Sequence, residues 1–225
     1  MRVLIFFLIS ITFIAILFTE FYLRSTGLGD PIRYDSSILY GYSPKENQVK
    51  IRTKNIKVSI NDVGLRSLNN WKNNSKKKIV FFGDSVAYGG SYIDDNDTFA
   101  EIICKKLRDY LCGNAGVNSY SIFNIVMRSK YDDRLKQSDV IIYIFPPDDF
   151  FREYADSNKA LFYLNKKDFI LPSITEALNF IAKKYDINNL ISKHNDTISN
   201  ENENYKLIDY SVKILKDEIN SKKSM

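Results

Sequence analysis

The sequence predicts an α/β protein built on a parallel sheet and preceded by one membrane helix. Two observations carry the sheet: short apolar runs that end in Gly, Asp, Asn or Pro, and stretches of helical periodicity between them. The third observation is a charge-free apolar run at the N-terminus, unlike anything later in the chain. Strands that alternate with helices form right-handed βαβ units and therefore pair in parallel.

The N-terminal run, Val3 to Phe18, reads VLIFFLISITFIAILF. A helix needs about 20 apolar residues to cross the hydrocarbon core, within a range of about 17–25, so this is a short span or the core of a signal peptide. Leu17-Phe18-Thr19-Glu20-Phe21 is too bulky for a cleavage site, and the aromatic residues at the exit suit a membrane interface. We read residues 1–25 as an uncleaved single-pass anchor; a cleaved signal and a buried core helix are the alternatives. Met1 and Arg2 place positive charge at the N-terminus, which favours that end in the cytoplasm and the rest of the chain outside.

Residues 26–76 form a polar, turn-rich lead-in with Gly27, Gly29, Pro31 and Pro44. Alternation in Val49-Lys50-Ile51-Arg52 and in Ile56-Lys57-Val58-Ser59-Ile60 predicts a small hairpin there. Residues 77–225 are the α/β domain. Lys77 to Phe82 reads as a short buried strand. Phe99, Ile102, Ile103 and Leu107 give helical spacing over 97–111, capped by Asp97 or Thr98. A second strand runs from Tyr110 to Gly116, and a second helix from Ser121 to Gln137. Asp139 to Phe145, DVIIYIF, reads as a third, fully buried strand stopped by Pro146-Pro147. Helices follow over 173–184 and 205–219. The last helix leads only to a short polar tail, so the sheet halts after three strands with an open edge and the chain reads as short at its C-terminus.

Composition narrows the function classes. Apolar residues are 44% and charged residues 26% of 225, the balance of a folded protein. Lys+Arg is 32 against Asp+Glu 27, a net charge of +5, with no arginine stripe or aromatic-basic module of a nucleic-acid binder. Two Cys exclude a disulfide scaffold and a four-Cys zinc site. Cys104 and Cys112 on one helix would stand about 12 Å apart, beyond the roughly 7 Å a disulfide spans, so they read as buried thiols unless the helix ends between them. There is no nucleotide-binding glycine motif, and Asp94, Asp95 and Asp97 lack the ligand spacing of a calcium loop. No cofactor and no metal are expected.

Sites in open α/β sheets form at the carboxyl ends of strands. Three polar segments arrive there: Gly83-Asp84-Ser85, Asn114-Ala115-Gly116-Val117-Asn118-Ser119, and Pro147-Asp148-Asp149-Phe150. A Ser on a strand-to-helix turn exposes its hydroxyl and aims its N–H into the site, which suits a nucleophile and an oxyanion donor. Ser85 is that candidate, with Asp84 supporting the turn.

In KKIVFFGDSVAYGGSYIDDNDTFAEII, CGNAGVNSYS and DVIIYIFPPDDF the chain resembles the SGNH/GDSL hydrolase family, particularly its membrane-anchored members. GLGDPIRYDSSILYGY and INDVGLRS look like the region that precedes the core in such proteins, so the resemblance covers roughly residues 20 to 150. It implies a flavodoxin-like three-layer α/β/α sheet and hydrolysis or transfer of O-acyl groups on a surface glycan or lipid. It implies Ser85 as nucleophile, an oxyanion hole at Ser85, Ser119 and Asp148, and Gly83, Asn114, Gly116 and Asp149 nearby. The family's Gly stands here as Ser119, and its oxyanion Asn as Asp148, whose ionised carboxylate would repel an oxyanion. The family base lies in an Asp-x-x-His; the one histidine, His194, has Ile191 at that spacing and sits in a polar stretch. Two functions follow. One is an anchored extracytoplasmic esterase or O-acyl hydrolase, with the membrane and an acylated substrate as partners and a further chain covering the open sheet edge. The other is a catalytically inactive, truncated binding or assembly module of the same fold.

Overall fold

The computed structural model describes residues 2–157, 170–184 and 210–217. Its elements are α1 (Arg2–Ser25), β1 (Tyr34–Ser37), β2 (Gly41–Pro44), β3 (Gln48–Arg52), β4 (Ile56–Ile60), β5 (Lys77–Phe82), α2 (Ser85–Tyr88), α3 (Phe99–Lys106), β6 (Tyr110–Asn114), α4 (Ile122–Tyr131), β7 (Val140–Tyr143) and α5 (Pro172–Lys184). Residues 210–217 are also helical. The described residues fall into two compact units. One holds α1 through Pro31, Ile51–Asn55 and α5; the other holds Ile32–Lys50, residues 56–157 and the 210–217 helix.

The larger unit is mixed α/β around a three-stranded parallel sheet of order β6-β5-β7. Side chains of β5 alternate between two cores, as the strand period of two requires. Ile79 and Phe81 face α3 with Ala100 and Cys112. Val80 and Phe82 face α4 and the lead-in, with Ile125, Val58, Leu65 and Trp71. Helices therefore cover opposite faces, the arrangement right-handed crossovers impose when the chain steps from β5 to β6 and then back across to β7.

β7 is not fully buried, as its apolar run predicted. Ile141 and Tyr143 pack on the α4-side core, but Val140 and Ile142 are each 38% exposed. They pair with Ile79 and Phe81 and so share the α3 face, yet they lie on an edge strand beyond the cluster that α3 covers. The lead-in is also more ordered than its polarity suggested. The expected hairpin is present as β3 and β4, and β1 pairs antiparallel with β2, where Tyr34, Tyr42 and Tyr120 meet edge to face.

The expectation of two separate thiols is corrected. Thr98 caps α3, but the helix ends at Lys106, five residues short of the expected end at 111, and Tyr110 N–H closes a turn on Leu107 O at 3.0 Å. That reversal lays β6 beside the helix it leaves. Cys104 and Cys112 then have Cα atoms 5.6 Å apart and form a disulfide. The second helix likewise stops at Tyr131, short of Gln137, because Asp132 ends it and caps the buried Arg128. The part of the 205–219 helix outside residues 210–217 lies outside the described residues.

Candidate active site

The central strand β5 delivers the first segment. Beyond Phe82 the chain turns through Gly83 and Asp84 into α2, a single helical turn that begins at Ser85. Asp84 is buried and caps that turn, its Oδ1 accepting from Val86 N–H at 2.8 Å. Gly83 leaves no room for a side chain: an added Cβ would sit 2.5 Å from Ala87 Cβ and 2.9 Å from Ile144 O. Ser85 is half-buried, and its hydroxyl donates to Asp84 Oδ2 over a long 3.4 Å.

The second segment continues from β6 along the end of β5. Ala115 N–H donates to Phe81 O at 2.7 Å and Val117 N–H to Gly83 O at 3.2 Å. Asn114 joins this segment to α2, donating from Nδ2 to Ala87 O at 2.6 Å and accepting Gly116 N–H on Oδ1 at 2.9 Å. A Cβ on Gly116 would fall 2.4 Å from Tyr88 N, so glycine is required for the close approach. Residues 117–120 form a turn closed by Tyr120 N–H to Val117 O at 3.4 Å. Ser119 occupies its third position with φ of 68°, the left-handed conformation a type II turn demands and glycine supplies without strain. The Ser119 side chain is exposed.

The third segment follows β7 as a helical turn, Pro147–Phe150. Its two acidic residues differ completely in environment: Asp148 is exposed, whereas Asp149 is 0% exposed. Arg152 Nη1 lies 2.9 Å from Asp149 Oδ1 and 3.2 Å from Asp84 Oδ2, and it donates to Tyr120 O at 2.7 Å. One guanidinium nitrogen thus ties the turns after all three sheet strands together. Burial pushes the Asp149 carboxyl up to about 7; the Asp84 charge adds to the rise, and Arg152 opposes it. Asp149 therefore takes up a proton near neutrality while sitting next to a second carboxyl group.

Gly83, Asp84, Ser85, Asn114 and Gly116 are joined in one hydrogen-bonded and close-packed cluster, to which Arg152 ties Asp149 through its ion pairs. Ser119 stands one residue from the Tyr120 carbonyl that Arg152 holds, Asp148 faces solvent, and His194 lies outside the described residues. Arg152 is the residue sequence reasoning missed. Its signal is the spacing to Asp149, three residues later on a helical turn, where side chains become neighbours. Among the described residues, no group of three His, Cys, Asp or Glu side chains is placed to hold a metal ion.

No family model matches the chain, and no curated protein matches it. Among solved structures it is similar to AlinE4, described as an SGNH-hydrolase family esterase, with 18% identity and a TM-score of 0.31 over 50% of this chain and 74% of that one. A variant of the same esterase aligns over 64% of this chain and 97% of its own at 14% identity and a TM-score of 0.30.

Proposed function

We propose that the chain is a membrane-anchored, extracytoplasmic hydrolase of SGNH/GDSL type: a serine esterase, or an O-acyl hydrolase or transferase, acting on an acylated surface glycan or lipid. The observation that carries this is Ser85, half-buried at the carboxyl end of the central strand, on a turn fixed by buried Asp84 and the Arg152–Asp149 pair. Ser85 Oγ attacks the acyl carbon as its proton passes to the departing alkoxide, which leaves as an alcohol; water or an acceptor hydroxyl then takes the acyl group and returns a proton to Ser85 Oγ. Backbone N–H groups of Ser85 and Ser119 stabilise the oxyanion. Asp148 lines the rim in this reading, and it can donate only when protonated.

Two further features support the anchored, external placement. The helix Val3–Ser25 is long and apolar enough to cross a membrane. The Cys104–Cys112 disulfide suits an oxidising compartment. The half-exposed Val140 and Ile142 on β7 suit a partner chain that covers this sheet edge. The test is labelling of the membrane fraction with a fluorophosphonate probe. Wild type is expected to label and Ser85→Ala is not; equal labelling of both sinks the assignment.

A second reading, a non-catalytic binding or assembly module of the same fold, is favoured by Ile191 standing where the Asp of an Asp-x-x-His would be. Ester hydrolysis by the full chain that disappears in Ser85→Ala would refute it.

A further inference from the structure

In the smaller unit the start of α5 is fastened to the end of α1. The Glu20 carboxylate accepts Ser173 N–H at 3.1 Å and Ile174 N–H at 3.0 Å, supplying from another helix the cap that the first N–H groups of α5 need. Ser173 Oγ donates to Leu28 O at 3.1 Å. Glu176, one turn on, accepts Gly29 N–H at 2.6 Å and pairs with Arg52. A Cβ on Gly29 would lie 2.4 Å from Ser173 Oγ, so backbone and helix are in direct contact.

Glu20 is also where the apolar stretch of α1 stops. Val3 to Thr19 rises about 26 Å at 1.5 Å per residue, close to the roughly 30 Å of a hydrocarbon core. In the anchored reading, on which this inference rests, the first turn of α5 is thereby held at the membrane boundary. Its faces are inverted relative to a helix of a soluble domain. The polar Ser173 and Glu176 are buried, while Ile174, Leu178 and Ile181, at i, i+4 and i+7, form an apolar stripe that is half-buried at Ile174 and exposed at Leu178 and Ile181. Leu178 is 60% exposed and Ile181 45%, and among the described residues nothing covers them. Ile170, 96% exposed just before the helix, adds apolar surface. Leu178 stands only about 9 Å along α5 from Pro172, so it cannot be far from the boundary that Glu20 marks.

We propose that α5 is an interfacial helix that lays Ile174, Leu178 and Ile181 into the bilayer surface on the outer side, with Glu20 as the joint that fixes it there. An amphipathic helix of this kind buries its apolar face about 5–10 Å into the headgroup–acyl boundary. The bilayer is the occupant favoured because, among the described residues, α5 is attached within its unit to the end of the span and the short stretches beside it.

The test uses the full chain in phosphatidylcholine vesicles whose lipids carry bromine either near the headgroup or near the acyl-chain ends. The single native Trp71 is buried and gives the background. Leu178→Trp replaces an exposed side chain, and Phe13→Trp reports on the span itself. Leu178→Trp is expected to lose emission to the shallow bromines, Phe13→Trp to the deep ones, and wild type to neither. Quenching of Phe13→Trp without quenching of Leu178→Trp would overturn the proposal and leave the anchor standing. A blue-shifted but unquenched Leu178→Trp would assign the stripe to protein cover and overturn it equally. If Phe13→Trp is unquenched, the anchor reading falls and the interfacial helix falls with it.

Discussion

Asp84 and Asp149 come from turns after different strands, yet both meet the same nitrogen of Arg152, at 3.2 Å and 2.9 Å. Two buried carboxylates on one guanidinium leave an excess negative charge out of water, and the pair resolves it by keeping a proton on Asp149 up to about pH 7. The Ser85 turn is therefore held by two buried acids on one guanidinium, and their charge depends on pH.

That dependence has a definite sign. The folded-state value of Asp149, about 7, lies above its ordinary 3.8, so between those pH values the folded chain binds more protons than the unfolded one. Stability is then lost as pH rises from about 4 to about 7 and levels off above, at roughly 1.4 kcal/mol per unit at most. Asp149→Asn keeps the uncharged state at every pH. Urea midpoints should fall between pH 5 and 8 in wild type and stay level in Asp149→Asn; parallel slopes would refute the assignment.

Arg152→Met should be worse than either carboxylate change. It leaves two buried acids with no cation, and stranding a buried charge costs about 3–5 kcal/mol, here toward the lower end because Arg152 is a third exposed. Well above pH 7, where Asp149 is ionised, Arg152→Met combined with Asp149→Asn should recover part of that loss, since one of the two charges is gone. A double-mutant cycle in urea checks this; strict additivity would mean the three groups are not one unit.

Much of the sheet was legible because its residues obey one local rule each. Lys77–Phe82 is bounded by charge at one end and Gly83 at the other, and the strand occupies those six residues. Phe99 to Leu107 misled because apolar spacing continues through Leu107 while the chain must reverse to bring β6 beside β5, a demand of topology and not of propensity. The same demand makes the disulfide. Val140 and Ile142 misled because an apolar run records what a strand can bury, not whether a helix reaches it. At the candidate site, Gly83, Asp84 and Ser85 stood out as a turn after a strand. Arg152 did not, because its role is set by Asp84, 68 residues away.

The disulfide supplies a direct stability test. Closing a loop of about nine residues removes on the order of 2–3 kcal/mol of unfolded-state entropy in the chain model. Cys104→Ser with Cys112→Ser should lower stability by about that much, since Cys112 is buried between α3 and the sheet. Alkylation mapping of the non-reduced protein should find neither thiol reactive. Labelling of both in freshly isolated membranes would contradict the pairing.

Ser119 offers the clearest test of backbone strain at the site. Its φ of 68° is paid by a residue with a Cβ, whereas an L-residue in that region carries about 1–2 kcal/mol of steric penalty. Ser119→Gly removes the penalty and loosens the unfolded chain, two effects of opposite sign, so a net gain of about 0.5–1 kcal/mol is expected. Ser119→Val adds a β-branch where the turn tolerates it least and should cost more than 1 kcal/mol in the same assay. The side chain is exposed, so neither change alters packing, and the difference between the two variants reads the turn alone. Equal urea midpoints for the Gly and Val variants would show that the 117–120 turn does not hold the left-handed conformation. If the turn does hold it, Ser119→Gly should also leave fluorophosphonate labelling of Ser85 intact, because the backbone N–H assigned to the oxyanion is retained.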